Sequence, residues 1–184
     1  MKPLYLASKS PRRAKILESL GLKFEVAATS APEVTYGDDP ERTVRENAAA
    51  KLAEGMRAHP GSRVLAADTI VWYSGRIYGK PRTFEEAAEF LRELGGRTHT
   101  VFTGVAYFDG TQTRSAVARS DVKMRSLSEG DIASYIEKVK PLDRAGAYDI
   151  DECGDMVVEG YSGSYENIMG LPDDVVAGWL GEGK

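Results

Sequence analysis

The chain has 184 residues, 42% of them hydrophobic, and its formal net charge is −4. This length and apolar content predict one domain spanning residues 1–184. The acidic balance disfavours a nucleic acid or a membrane as a partner, since both are bound through broad positive charge. No apolar run reaches the roughly 20 residues that cross a bilayer. A single cysteine, Cys153, excludes an internal disulfide, so a reducing cytoplasm is the expected compartment.

The first third of the chain predicts two strands and two helices. "PLYLAS" is a short apolar run, and Ser10 with Pro11 supplies a helix cap and a proline suited to the first helical position. This helix should end near Leu20, and the "KFEVA" that follows alternates as a half-buried strand does. Asp39 and Pro40 repeat the capping signal. They precede a helix whose inner face carries apolar residues at helical spacing, namely Val44, Ala48, Leu52 and Met56.

The rest of the chain mixes strands and helices. "RVLAADTIVWYSGRIYGKP" predicts a buried strand with a short return strand, and Thr83 with Glu86 indicates a capping box before the next helix. "HTVFTGVAYF" and "RSAVARSDVKM" predict a long antiparallel hairpin around "DGTQ". Ser128 caps a further helix, and a last helix is expected around residues 175–180. This mixture predicts an α/β or α+β domain with a mixed sheet.

Cations are concentrated in the turn "ASKSPRR" that follows the first predicted strand. A helix N-terminus has unpaired N–H groups and partial positive charge, so a serine-bearing turn before a helix suits an anion. Arg12 and Arg13 add full charges with a geometry that matches phosphate. The residue types alone also allow a solvated turn with two surface arginines. However, cations at a helix N-terminus have the wrong sign unless an anion compensates them.

Two charged residues stand at positions that the pattern predicts to be buried or close to a cleft. Lys51 returns to the apolar face of its helix, seven residues after Val44, although such lysines also reach water along their own side chains. Asp68 interrupts "VLAADTIVW", where an unpaired carboxylate is costly and therefore requires cations, a metal or a solvent-filled site. A turn at the end of the strand is the alternative for Asp68.

Two further residues are ordinary when taken alone. Lys80 sits between Gly79 and Pro81, a rigid loop position from which an ammonium can reach a phosphate. Glu33 matters only if it shares a divalent metal with Asp68, because Mg²⁺ is usually held by one or two carboxylates plus substrate phosphates. Neither a Walker-type nor a dinucleotide-binding glycine motif occurs in the chain.

Several separated motifs occur in order along nearly the whole chain: "LYLASKSPRRAKILESLG", "AADTIV" with "GKP", "LGGRTHTVFTGVA", "PLDRAGAY" and "GSYENIMGLP". Together they resemble the Maf family of nucleoside triphosphate pyrophosphatases. The resemblance implies a fold like that of inosine triphosphate pyrophosphatases, with an elongated mixed sheet, flanking helices and a cleft between two lobes. It also implies hydrolysis between the α and β phosphates with Mg²⁺ or Mn²⁺, and a possible homodimer.

The resemblance assigns the cations of the chain to phosphate binding. Matched position by position, Ser8, Arg12 and Arg13 correspond to the family's phosphate-binding turn, and Lys51 and Lys80 correspond to its two lysines. Cations in such a cleft would neutralise the charge that develops on the phosphates during hydrolysis.

The resemblance gives the acidic residues the remaining roles. Asp68 corresponds to the proposed proton acceptor and Glu33 to the acidic residue beside it, so both are expected metal ligands. Whether Asp68 acts as a base, as a ligand or as both stays open, since a metal-bound carboxylate is a poor base.

One motif departs from the family pattern. The arginine pair and Thr69 resemble the branch that cleaves dTTP and UTP, which typically reads "AGAYGIQ" where this chain reads "AGAYDID". Asp151 thus stands at a glutamine position associated with base selection, and Asp149 stands at a glycine. Ionised aspartate only accepts hydrogen bonds, so Asp151 predicts a shift towards CTP or methylated nucleotides. The alternative from another class is a nucleotide-binding regulator of cell division without enzymatic activity.

Overall fold

The computed structural model describes residues 2–181. The two ends of the predicted domain, Met1 and residues 182–184, lie outside that range. The strands of the described part are β1 (Leu4–Leu6), β2 (Glu25–Val26), β3 (Arg63–Tyr73), β4 (Arg76–Tyr78), β5 (Thr98–Phe108), β6 (Thr113–Met124) and β7 (Val158–Ser162). The helices are α1 (Pro11–Ser19), α2 (Pro40–Ala58), α3 (Phe84–Leu94), α4 (Glu129–Val139), α5 (Tyr165–Met169) and α6 (Asp173–Leu180). Short 3₁₀ turns span Ala145–Ala147 and Gly154–Met156.

The strands form one sheet in the order β2-β1-β3-β5-β6-β7, with β4 paired to β3. β1 is parallel to both β2 and β3, and the other pairings are antiparallel. The predicted mixed sheet and the hairpin around "DGTQ" are therefore confirmed. Asp68 lies in the middle of β3 opposite Gly104 of β5, so it is not at the end of its strand.

The helix starts follow the capping signals, with two differences. Asp39 accepts a hydrogen bond from the Arg42 N–H, and Ser128 forms a complete capping box with Asp131. Thr83 accepts from the Glu86 N–H, but the Glu86 carboxylate bonds the N–H of Arg82, so only half of the predicted capping box forms.

At the start of α1, Ser10 occupies the cap position without a capping bond from its side chain. Its backbone N–H instead donates to Ser8 Oγ over 3.2 Å. The turn before α1 is thus closed by Ser8 rather than by Ser10.

Two large apolar clusters pack the helices on the sheet. One contains Phe90 and Leu91 of α3 with Tyr135 of α4, against β5 and β6. The other contains Leu17 of α1 and Val176 of α6, against β1, β3 and β5. α2 packs separately on β3 and β5, through residues that include Ala48, Leu52, Ala66 and Ala106. Within residues 2–181, no helix has the length and apolar character needed to cross a membrane.

α2 packs very closely on the sheet at Gly104. A Cβ atom at this glycine would lie 2.3 Å from the carbonyl oxygen of Val44 and 2.5 Å from its carbonyl carbon. Both atoms belong to the backbone of α2, so no side-chain movement relieves the clash. The missing side chain at Gly104 therefore allows α2 to pack closely on β5, beside Asp68 on the neighbouring strand.

Gly104→Ala is expected to lower the free energy of unfolding by about 1–3 kcal/mol, the usual range for overpacking, because the backbone of α2 must move outward. Gly160→Ala in β7 is the matched control, since a Cβ atom at Gly160 would have no heavy atom within 4 Å. Urea denaturation of both variants measures the difference. Equal stability of the two variants would show that α2 tolerates the displacement.

A buried histidine links the core to Tyr148. His99 is 2% exposed, and its Nε2 lies 2.9 Å from the Tyr148 hydroxyl, while Nδ1 has no hydrogen-bond partner among residues 2–181. Burial lowers the pKa of His99 to about 4, with the charge of Asp121 acting in the opposite direction. The folded protein therefore holds this ring in its neutral form at neutral pH.

The lowered pKa of His99 makes stability depend on pH. The unfolded chain binds a proton on this residue near pH 6.5 and the folded chain only near pH 4, so stability is full above pH 6.5 and falls as the pH drops between these values. Between pH 7 and pH 5, the loss due to His99 is expected to be about 2 kcal/mol. Urea denaturation at both pH values should show a smaller loss for His99→Gln. If His99→Gln loses as much stability as the wild type, groups other than His99 cause the pH dependence.

Candidate active site

A cavity of about 370 Å³ lies where β1, α1, α2 and β3 meet the 143–150 segment. All the sequence-predicted site residues except Asp151 line it, namely Ser8, Arg12, Arg13, Glu33, Lys51, Asp68, Thr69 and Lys80. The fold thus brings together residues from widely separated parts of the chain. Asn47, Tyr148 and Asp149 also line it.

Asp68 is a buried carboxylate at the wall of this cavity. It is 5% exposed, and each of its oxygens has one donor: Oδ1 accepts from Lys51 Nζ over 2.7 Å and Oδ2 accepts from Asn47 Nδ2 over 3.0 Å. Lys51 and Asn47 are four residues apart on α2, so one helical face supplies both donors. The cost of burying the carboxylate is offset by a charged and a neutral donor in fixed positions.

Lys51 joins two of the carboxylates that line the cavity, Glu33 and Asp68. Its ammonium lies 2.6 Å from Glu33 Oε1 as well as 2.7 Å from Asp68 Oδ1, and its side chain is 12% exposed. Burial opposes the ionisation of Glu33, but the hydrogen bond and charge of Lys51 hold the pKa of Glu33 below its usual value. Lys80, on the loop after β4, adds to this effect through its charge. Lys51 therefore points into the cleft.

Asn47 is a site residue that the sequence reasoning missed. Its Oδ1 accepts from the Val34 N–H over 2.9 Å, and its Nδ2 donates to the Val34 carbonyl over 3.0 Å as well as to Asp68. Asn47 thereby fixes the loop that carries Glu33. Its position, one helical turn before Lys51 on the same face, is the signal that identifies it in the sequence.

Arg13 forms the floor of the cavity. It is 9% exposed, and its guanidinium donates to the Gly170 carbonyl over 2.8 Å and to the hydroxyl oxygens of Ser8 and Thr69 over 3.0 Å each. Burial lowers the pKa of Arg13, and the charge of Asp68 opposes that shift. These partners are all neutral oxygens, and they use three of the five guanidinium N–H groups. Two of its N–H groups are left for an anion, and its charge is offset in part by the nearby carboxylates of Asp68 and Glu33.

Arg12 points to a different part of the cavity. Its Nη1 lies 3.3 Å from Asp149 Oδ2 and 3.8 Å from Asp143 Oδ2. The two neighbouring arginines are thus not equivalent, because Arg13 is bound to neutral groups and Arg12 is bound to carboxylates. Sequence reasoning treated them as one phosphate-binding pair.

Asp151 lies outside the cavity lining. Its carboxylate accepts from Lys15 Nζ over 2.6 Å and from the Tyr165 hydroxyl over 3.0 Å. The Lys15 hydrogen bond is the main cause that lowers the pKa of Asp151. Asp149, two positions earlier, does line the cavity.

The two carboxylates joined by Lys51 have the chemistry of a hard-cation site. Oxygen ligands suit Mg²⁺ and Mn²⁺, and Mg²⁺ is usually held by one or two carboxylates with substrate phosphates completing its shell. Glu33 and Asp68 fit that requirement. Among residues 2–181, no group of three or more His, Cys, Asp or Glu side chains is placed to hold a metal without such help.

The sequence pattern of the family described as Maf-like protein matches residues 3–182. The chain belongs to the Maf family. Among its relatives are proteins named dTTP/UTP pyrophosphatase. The one from Myxococcus xanthus is 43% identical over 92% of this chain and 86% of the relative. The one from Escherichia coli K12 is 41% identical over 94% and 88%. The family assignment made from the motifs is therefore confirmed.

Solved structures support the predicted fold. The Staphylococcus aureus Ham1 protein covers 100% of this chain and is itself covered over 100%, with a TM-score of 0.59 and 13% sequence identity. At that identity the similarity concerns the fold alone.

Asn47→Ala is expected to lower the free energy of unfolding by about 1–3 kcal/mol, because the buried oxygen of Asp68 and the Val34 backbone lose their partner. Arg45→Ala, at an exposed position of the same helix, is the control, since arginine and alanine have similar helix propensities. Urea denaturation measures both. An Asn47→Ala variant as stable as Arg45→Ala would mean that water replaces the amide without loss.

Proposed function

We propose that this protein is a nucleoside triphosphate pyrophosphatase that hydrolyses UTP and dTTP to the monophosphate and pyrophosphate. The observation that carries the proposal is the Asp68 carboxylate, held between Lys51 and Asn47 at the wall of a cationic cavity. A site that only bound nucleotides would have no evident need for a buried carboxylate among cations. The names of the Maf relatives support the same reaction.

The cations are proposed to bind the triphosphate. Arg13 brings its guanidinium to the cavity, beside the Ser8 hydroxyl and the N-terminus of α1. Lys51 and Lys80 contribute ammonium groups from two other segments. Donors fixed in advance around the phosphates lower the barrier, because the developing charge meets dipoles and cations that do not need to reorganise.

Asp68 is proposed to act on the attacking water. The water oxygen forms a bond to the α-phosphorus, the bond between that phosphorus and the bridging oxygen breaks, and pyrophosphate leaves. Asp68 accepts the proton that the water loses. Asn47 and Lys51 each hold one oxygen of the carboxylate, so its orientation towards the cavity is set before substrate binds.

A divalent cation, Mg²⁺ or Mn²⁺, would be held by Glu33 and by one oxygen of Asp68, together with phosphate oxygens, so that the other Asp68 oxygen would receive the proton. When bound, it supplies positive charge that neutralises the phosphates. Lys51 keeps the two carboxylates close together in the protein alone. Thus this chain's own residues arrange the oxygen ligands in advance.

The base preference is proposed to be that of the relatives, uracil and thymine. The shift towards CTP or methylated nucleotides predicted from Asp151 stays a prediction. The placement of Asp151 outside the cavity, bound to Lys15 and Tyr165, argues against it. A panel of UTP, dTTP, CTP, 5-methyl-CTP and 7-methyl-GTP measures the preference, with Asp151→Gln as the informative variant. An order of substrates that changes in this variant would restore Asp151 to base selection.

The reaction is tested by following the monophosphate and pyrophosphate released from UTP in the presence of Mg²⁺ or Mn²⁺. Asp68→Asn is expected to lower kcat by roughly 10²–10⁴, the range that general-base catalysis supplies. UTP binding by the variant should persist, because Arg13 and Lys80 are unchanged. A wild-type protein as inactive as Asp68→Asn, with UTP still bound by both, would favour a nucleotide-binding regulator.

A further inference from the structure

Asp149 is a buried carboxylate of the cavity to which the proposed reaction gives no role. It is 5% exposed and lies on the segment that follows the Ala145–Ala147 turn. That turn packs closely on β3. Gly146 has a φ of +70°, and a Cβ there would come within 2.9 Å of the Val71 side chain. The Gly146 N–H also donates to the Gly79 carbonyl beside Lys80. The position of Asp149 in the cavity is therefore well defined.

All the acceptor positions of Asp149 are occupied. Its Oδ2 accepts from Arg144 Nε over 2.9 Å and from Arg12 Nη1 over 3.3 Å. Its Oδ1 accepts from the backbone N–H groups of Asp151 over 2.8 Å and Glu152 over 3.2 Å. An ionised carboxylate has about four such positions, so Asp149 has little capacity left to accept a bond from a nucleotide base.

Acidic groups also surround the two arginines that Asp149 binds. Arg144 donates to Asp143 and Glu152 in addition to Asp149, and its side chain is 14% exposed. Burial opposes the charge of Arg144, but the surrounding carboxylates raise its pKa above the usual value. The two guanidinium groups of this cluster thus face three carboxylates, and their charge is compensated within the protein. Arg13, by contrast, is bound to neutral oxygens.

We propose that Asp149 is an affinity-determining residue of the cavity: its carboxylate occupies Arg12 and Arg144 in the place of a ligand phosphate and so weakens the binding of nucleotide phosphates and pyrophosphate. This inference rests on the proposed function, because it assumes that the cavity takes phosphate groups. A phosphate that contacts either arginine must displace Asp149 or share its donors at close range. Both alternatives cost free energy, since the carboxylate stays buried near another anion.

The weakening applies to substrate and product alike. A loss of binding that is equal in the ground state and the transition state raises KM without changing kcat. The same loss acts on pyrophosphate, which must leave before the next turnover. Asp149 therefore lowers the affinity for substrate and, by the same interaction, favours release of the anionic product.

The test is pyrophosphate binding measured by isothermal titration calorimetry, which requires no turnover. Asp149→Asn keeps an oxygen for the two backbone N–H groups and removes the charge. It is expected to bind pyrophosphate about tenfold more tightly than the wild type, a difference of about 1.4 kcal/mol. Asp155→Asn is the matched control, with the same change of charge at an exposed position outside the cavity lining. It should bind as the wild type does.

Two further variants test whether the Asp149 carboxylate weakens pyrophosphate binding through Arg12 and Arg144. Asp149→Gly removes the carboxylate entirely and should also tighten pyrophosphate binding if Asp149→Asn does not fold. In an Arg12→Ala, Arg144→Ala background, the effect of Asp149→Asn should disappear. Unchanged or weaker pyrophosphate binding in both Asp149 variants would overturn the inference, as would equal tightening in Asp155→Asn.

The two proposals fail in different ways. Absence of UTP hydrolysis by the wild type, with pyrophosphate still bound and tightened by Asp149→Asn, would remove the proposed reaction and leave the role of Asp149 intact. Normal UTP hydrolysis with KM and pyrophosphate affinity unchanged in Asp149→Asn would do the reverse.

Discussion

The close approach of α2 to the sheet at Gly104 is the constraint on which the cavity depends. Gly104 is the register partner of Asp68, so the close approach of α2 lies beside the buried carboxylate. The backbone of α2 occupies the space that a side chain would fill there. One helical face then places Asn47 and Lys51 on the two oxygens of Asp68. The backbone contact that determines how α2 packs on the sheet therefore also determines where the two donors to Asp68 lie.

The cavity has two electrostatic regions. Around Arg13, Lys51 and Lys80, positive charge exceeds the charge of Glu33 and Asp68, as an anion site requires. Around Arg12 and Arg144, the protein supplies its own carboxylates. An anionic ligand is therefore attracted mainly to the first region, and the second limits how tightly it is held.

Much of the fold was readable from local signals. Caps at Asp39 and Ser128 and the hairpin turn act within a few residues, so they predict correctly. The alternation of "KFEVA" predicted a half-buried strand, but β2 spans only Glu25–Val26 and both residues are exposed. Of the nine site residues that the motifs predicted, eight line one cavity in the structure. Asn47 was missed because its partners, Val34 and Asp68, are 13 and 21 residues away. Sequence reasoning assigns Asp149 no role beyond its place at a family glycine, because spacing does not reveal which of two nearby carboxylates faces inward.

Helix α1 is joined to the 149–152 segment by two ion pairs of different character. Arg12 and Lys15, one turn apart, bind Asp149 and Asp151 respectively. Side-chain exposure is 65% at Lys15 and 39% at Asp151, whereas it is only 3% at Asp149. Dissolved ions screen exposed pairs far more than buried ones. Rising ionic strength should therefore release the outer link while the inner one persists, so that the segment pivots about Asp149 instead of detaching from the helix.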